Sequence, residues 1–170
     1  KTKIGAKPVT MDDVDVAANV SRMGDQLFNN GFFDNTVTSR VIESKRTASV
    51  EYTLNLNSPF VVSDVAVRDS NILPVTALKE IVAGSKLTGQ PYMLVNVRTE
   101  LRRIEDEMRN RGYYYFVKEN VYFTADTNRT ERTVKLELLL KEGLTDELKT
   151  FKIGDIKVNT DYELGKTDSV

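Results

Sequence analysis

The stretch Phe60-Val61-Val62-Ser63-Asp64-Val65-Ala66-Val67 recurs as Phe151-Lys152-Ile153-Gly154-Asp155-Ile156-Lys157-Val158. A repeat this long, spaced about one small domain apart, marks an array of similar units, each to be read by itself. The constraint reaches every other inference, because a motif in one unit must then be sought in the next.

Followed outward, the repeat extends. Lys86-Leu87-Thr88-Gly89-Gln90-Pro91-Tyr92 lines up with Lys3-Ile4-Gly5-Ala6-Lys7-Pro8-Val9. A helix follows in each copy. Val97, Leu101, Ile104 and Met108 fall on one apolar stripe closed by Gly112, and Val16, Val20, Met23 and Leu27 do the same ahead of Gly31. Thr10 with Asp13 resembles a capping box at the start of the first helix, and Asn96 is the N-cap expected for the second.

Paired aromatics stand after each glycine, Phe32-Phe33 and Tyr113-Tyr114, and two extended runs follow. Val50, Tyr52, Leu54 and Leu56 alternate with polar residues, as do Val134, Leu136, Leu138 and Leu140, the period of a strand with one buried face. The runs before them, about 35–43 and 115–124, are more polar. Turns at 44–47 and 125–130 make each pair a hairpin. In the second copy, strand 60–67 and a short helix at about 74–83, opened by Pro74 and closed by Gly84, complete the order β-α-α-β-β.

The predicted fold class is therefore α+β, in tandem β-α-α-β-β units. Residues 1–57 carry the helix and hairpin of a first unit, 58–145 a complete one, and 146–170 the opening strand of a third or a tail. Such stumps imply a segment of a longer protein.

The chain has neither cysteine nor histidine, which removes disulfides, thiol nucleophiles, imidazole bases and most zinc sites. Lys and Arg total 24 against 25 Asp and Glu, so no overall field draws in nucleic acid or an anionic membrane. No apolar run is long enough to span a bilayer as a helix, and the start has no signal-peptide core.

Several clusters invite a chemical reading. Asp12, Asp13 and Asp15 could gather a hard cation, but acidic residues in a first helical turn also meet the helix dipole favourably, which is the simpler reading. Arg98, Arg102, Arg103, Arg109 and Arg111 are interleaved with Glu100, Glu105, Asp106 and Glu107, the pattern of a solvated face more than of a phosphate-binding stripe. Tyr113 to Phe116 could stack bases, although aromatics directly after a helix-ending glycine better fill the gap between helix and sheet. Asn19-Val20-Ser21 and Asn128-Arg129-Thr130 match the glycosylation pattern, incidentally if the chain is bacterial. No nucleophile with a base, perturbed carboxylate pair or phosphate loop is found, so the chain is not read as an enzyme, and no cofactor or metal is called for.

The fixed order of elements, the Gly-aromatic-aromatic step, the alternating V-x-L-x-L strand and the F-x-I-x-x-I-x-V strand together resemble the POTRA (polypeptide-transport-associated) domain, over about residues 3–158. The segment 3–33, with Leu27-Phe28-Asn29-Asn30-Gly31-Phe32-Phe33, is similar to arrays of Bacteroidota surface-antigen proteins. The resemblance implies a three-stranded mixed sheet in the order 1-3-2 with two helices on one face. It also implies a place in the periplasm, ahead of an outer-membrane barrel of the BamA or TamA type that would lie outside this segment. Its partners would be unfolded outer-membrane protein clients or accessory assembly subunits.

In such a sheet the polar strand is an edge, able to capture an extended polypeptide by β-augmentation. The residues expected to do so are Phe116, Val117, Lys118, Glu119, Asn120, Val121, Tyr122 and Phe123. The rival reading is a KH-like nucleic-acid module, whose GxxG loop would correspond to Gly84 to Gly89, two residues too long and nearly without excess charge. Because 151–158 copies the strand that the first unit lacks, exchange of that strand between fragments is a further expectation.

Overall fold

The computed structural model describes residues 10–68 and 75–158. A 3-10 turn, Met11–Asp13, leads into helix α1 (Val16–Asn29), and strands β1 (Thr36–Glu43) and β2 (Ala48–Asn55) follow as an antiparallel hairpin. Strand β3 (Val61–Val67), helices α2 (Val75–Ala83) and α3 (Leu94–Asn110), and strands β4 (Val121–Asn128) and β5 (Thr133–Leu140) complete the second repeat. Its sheet runs β3-β5-β4, with β3 parallel to β5 and β4 antiparallel to it. This is the 1-3-2 arrangement that the POTRA resemblance implies, with the most deeply buried strand in the centre.

Every side chain of the buried hydrophobic core lies between Phe60 and Leu138. Leu78, Ile81 and Val82 of α2 and Ile104 and Met108 of α3 meet Phe116, Val121 and Leu138, so both helices cover the same face of the sheet. A second cluster joins Phe60 and Val62 to Leu87, Val97, Val134 and Leu136. The polar pair Ser63-Asp64 fits this core through a bulge. The register shifts between Val62 and Asp64, the Ser63 hydroxyl donates to the Val134 carbonyl at 3.2 Å, and Val62 and Val65 both reach the apolar side.

Helix boundaries follow local hydrogen bonding. Thr10 and Asp13 do form a capping box, but around the 3-10 turn and not around α1, whose cap is Asp15, accepting from the Ala18 amide at 2.9 Å. Helix α3 starts at Leu94 after Met93, so Asn96 lies inside it and is not its cap. Its end is as expected, with Gly112 at φ 94°, the left-handed conformation of a C-terminal glycine. Pro74 and the segment 3–9 lie outside the described residues.

The second hairpin sits later in the chain than its polarity suggests. Residues expected to form its turn, Ala125 to Asn128, are paired with Thr133 to Leu136, and the turn is 129–132. The stretch 151–158, expected as the opening strand of a third unit or a tail, forms no strand and is exposed throughout.

Candidate polypeptide-binding edge

A three-stranded sheet has two edges, and here they differ. Along β3 the connection between α2 and α3 folds back. Val62 donates to the Gln90 carbonyl at 2.9 Å, Gly89 to the Val62 carbonyl at 2.8 Å, and Tyr92 to the Phe60 carbonyl at 2.8 Å. The first half of that edge is thereby closed. Burial in this contact raises the pKa of the Tyr92 hydroxyl. The same bonds answer the KH reading, because the loop Gly84 to Gly89 buries Leu87 and commits Gly89 to β3 where a nucleic-acid clamp would need a free backbone.

The β4 edge is open. The Lys141 amide donates to the Asn120 carbonyl at 2.8 Å, and the register pairs Tyr122 with Leu139 and Thr124 with Glu137. Antiparallel strands alternate between residues bonded to the partner and residues facing away. Val121, Phe123, Ala125 and Thr127 therefore turn N–H and C=O away from β5; the Val121 N–H closes the preceding 3-10 turn on the Lys118 carbonyl, and the groups of Phe123, Ala125 and Thr127 have no partner among the described residues. Beside this edge, Arg98, Leu101 and Arg102 of α3 with Lys118, Glu119 and Val121 line a groove of about 290 Å³.

The groove is cationic. Arg103 is tied to Glu100 at 2.7 Å and Arg109 to Glu105 at 3.5 Å within α3, as the interleaved charges suggest, while Arg111, just past the helix, reaches across to Glu80 of α2 at 2.6 Å. The bond from Glu100 holds the Arg103 guanidinium pKa above its ordinary value, and Arg103 also caps the Ile81 carbonyl at 2.8 Å. Arg98 and Arg102 make no ion pair among the described residues, and both face the groove.

The eight residues expected as the contact strand divide three ways. Phe116 is fully buried between α2, α3 and the sheet, so it is a core plug and cannot meet a partner. Val117 to Asn120 form a 3-10 turn with its flanking residue, held by the Asn120 side chain accepting from the Val117 amide at 2.7 Å and by the Glu105 carboxylate accepting from the Lys118 amide at 3.0 Å. Only Val121, Tyr122 and Phe123 belong to β4, and the open edge continues through Asn128, which the sequence reading assigned to a turn.

The remaining candidates resolve into structural roles. Asp13 accepts from the Thr10 amide at 2.9 Å, which lowers its pKa, and Asp15 caps α1. No group of three metal-ligating side chains gathers among the described residues. Tyr113 packs against the core beside Phe116, whereas Tyr114 and Tyr115 stand exposed, edge to face at 5.1 Å.

A joint recurs that the sequence comparison did not show. The Phe60 amide donates to the Gly31 carbonyl at 2.9 Å, and the Phe151 amide donates to the Gly112 carbonyl at 2.7 Å. In each case the glycine ending one helix receives the phenylalanine that opens the next repeat. Phe60 is sealed in by Phe33 at 5.0 Å, Tyr92 and the Arg132 guanidinium at 4.7 Å, and Arg132 also donates to the Ser58 carbonyl and, at 3.3 Å, to Asp34. Phe151 has Tyr115 at 5.2 Å and remains 45% exposed.

Neither a protein-family model nor a curated protein matches the chain. Among solved structures it is similar to Haemophilus influenzae BamA POTRA3-5, with TM-score 0.48 and 13% identity over 77% of this chain and 51% of that one. It is similar to Haemophilus ducreyi BamA lacking POTRA domains 1-3, with TM-score 0.46 and 14% identity over 74% of this chain and 23% of that one. A third is the N-terminal domain of Omp85 from Thermosynechococcus elongatus, with TM-score 0.40 and 19% identity over 71% of this chain and 48% of that one. The chain thus spans about half or less of the length of these structures. No helix among the described residues is long and apolar enough to cross a membrane.

Proposed function

We propose that this chain is a non-enzymatic, polypeptide-binding scaffold in the periplasmic part of an outer-membrane protein assembly or translocation factor, and that it captures extended segments of clients or accessory subunits on β4. The observation that carries the reading is the open β4 edge, where the alternate residues Phe123, Ala125 and Thr127 turn both backbone groups outward, with a cationic groove at its start. An added strand would satisfy those backbone groups whatever its side chains, which suits many different unfolded clients. Arg98 and Arg102 add a preference for acidic residues in the bound segment, weakened by salt because both are solvent-accessible.

The order β-α-α-β-β and the sheet order 1-3-2 support the family reading, and with it the compartment and the class of client. The division into a partial first unit, a complete unit and a tail is part of the same proposal.

The test uses photo-crosslinking side chains at Tyr122, Thr124 and Asp126 on β4, with Thr76 on α2 as the control. Unfolded outer-membrane protein should be trapped from β4 and not from α2. A proline at Ala125 removes an outward N–H and leaves the bonds to β5 in place, so Ala125→Pro should weaken peptide binding about tenfold while circular dichroism stays unchanged. Trapping from Thr76 alone, or a folded Ala125→Pro chain that binds as well as the parent, would overturn the assignment.

A further inference from the structure

Strand β1 stands in the first repeat where β4 stands in the second, outermost beside its hairpin partner, so its outer side is an edge whatever lies beyond β2. The Ser44 amide donates to the Thr47 carbonyl at 2.8 Å and sets the phase of the ladder, which makes Thr38, Arg40 and Ile42 the residues bonded to β2. Val37, Ser39 and Val41 turn N–H and C=O the other way, and no backbone group among the described residues meets them. They are the counterparts of Phe123, Ala125 and Thr127, because Val41 lies opposite Val50 as Thr127 lies opposite Val134.

The two edges meet end to end. Asp34, just ahead of β1, accepts from Arg132 at 3.3 Å and lies 3.8 Å from Arg129, the residue directly after β4. The meeting point is fastened by consecutive amides. Phe60 donates to the Gly31 carbonyl at 2.9 Å, before β1, and Val61 donates to the Arg132 carbonyl at 3.0 Å, at the end of the turn that follows β4. Cationic side chains mark the same path. The hairpin turn beyond β1 exposes Lys45 and Arg46, neither in an ion pair among the described residues, the Arg129 side chain is 80% exposed at the meeting point, and Arg98 and Arg102 flank the start of β4. Of the acidic residues beside this path, Glu119 is answered by Lys118 at 3.5 Å, and Glu43 is the one acid at an outward position of β1.

We infer that a single extended polypeptide lies along β4 and β1 together, crossing between them at Asp34, and that its length is about twenty residues with acidic groups toward both ends. The inference rests on the proposed use of β4 and adds a second track, the length of the bound segment and a task for the joint. Each edge alone supplies a few backbone bonds. Joining both in one ligand makes the second binding event intramolecular, which raises affinity without any new kind of contact. Asp34 and Arg132 act here as positioning residues, holding the two edges end to end without touching the ligand.

The probes are two synthetic peptides of alternating valine and threonine with a glutamate at each end, about eight and about twenty residues long, both photoreactive near their ends. The longer should bind about a hundredfold tighter and give a one-to-one adduct attached to β1 and β4 of the same molecule. Ser39→Pro removes an outward N–H and keeps the bonds to β2, so it should return the longer peptide to about the affinity of the shorter, still trapped on β4. Asp34→Ala should weaken the longer peptide about threefold or more and leave trapping of the shorter on β4 unchanged, a split that a general loss of fold would not give. Lys45→Glu with Arg46→Glu should act in the same direction from outside the sheet. A longer peptide that binds no tighter than the shorter, that is trapped on β4 alone, or that labels both strands only as two separate copies would overturn this inference and leave capture on β4 standing. A shorter peptide never trapped on β4 would overturn both.

Discussion

Strands β2 and β5 carry the same alternation of apolar residues and have opposite surroundings. Val134, Leu136 and Leu138 of β5 are buried, whereas Leu54 at the position of Leu138 is 45% exposed. The difference comes from neighbours. In the second repeat β3 closes one side of the central strand and α2 covers its face, contributing Leu78, Ile81 and Val82. In the first repeat α1 alone lies on the hairpin, and neither α1 nor the two strands contain a buried side chain. Alternation specifies which face of a strand is apolar, and only the rest of the unit decides whether that face leaves water. Full burial of a leucine is worth about 1.5–3 kcal/mol, so a hairpin with one helix forgoes most of the stabilisation that its sequence offers.

Equivalent truncations should expose that asymmetry most strongly. Leu138→Ala opens a void among α2, α3 and the sheet and should cost about 2–5 kcal/mol, whereas Leu54→Ala removes atoms already in contact with solvent and should stay within about 0.5 kcal/mol. Urea unfolding followed by circular dichroism reads both, and equal losses would show that β2 is covered in solution.

The two glycine joints allow a finer comparison. Gly31 and Gly112 share the left-handed backbone, with φ 83° and 94°. A Cβ on Gly31 would lie 2.7 Å from the Tyr92 carbonyl oxygen, inside a connection tied to β3, so Gly31→Ala should cost about 2 kcal/mol or more. A Cβ on Gly112 would lie 2.9 Å from the Phe151 carbonyl oxygen, but that residue begins an unpaired stretch able to move aside. Gly112→Ala should therefore cost only the backbone strain, about 1–2 kcal/mol, and hydrogen exchange should quicken at Phe151 and not at Phe60.

Arg132 marks the same difference, since it seals Phe60 and has Ala48 as its counterpart in the first hairpin. Arg132→Ala should lose about 1 kcal/mol through the ring contact and the bonds to Ser58. Arg132→Gly should lose less, because Arg132 holds φ 54°, which glycine adopts freely. Thermal unfolding of the two variants checks the order.

Much of this was legible in the sequence. The stripe Val97, Leu101, Ile104 and Met108 and the helix-ending Gly112 follow from periodicity and punctuation, and the central place of 133–140 from the family resemblance. The start of β4 did not, because Phe116, Val117, Val121 and Phe123 mix one core plug with a strand, and hydropathy does not distinguish the two. A signal was present. Asn35 stands directly before β1 and Asn120 directly before β4, each bonding back three residues, to the Phe32 carbonyl and the Val117 amide. Aligning these asparagines would have moved the second hairpin into place and, with it, the contact strand. The closed β3 edge was not legible, since Gly89 to Tyr92 reads as an ordinary turn until its amides are seen on Phe60 and Val62.

The smallest expected effect concerns how the two long helices begin. Asp15 accepts from Ala18 at the start of α1, and that helix has no buried residue to hold it in place. Helix α3 begins after Met93 with no side-chain cap bond, yet Val97, Ile104 and Met108 anchor it in the core. Capping is worth about 1 kcal/mol wherever it occurs, but the share it represents differs, because α1 has little tertiary packing to fall back on. Asp15→Ala should therefore lower helicity and protection in α1 by about 1 kcal/mol, with α3 unmoved. Asn96→Ala, at the residue the sequence proposes as a cap, should change α3 by less than about 0.5 kcal/mol. Amide exchange resolved by residue separates the two, and a matching loss of protection in α3 from Asn96→Ala would mean that both helices depend on their first turns.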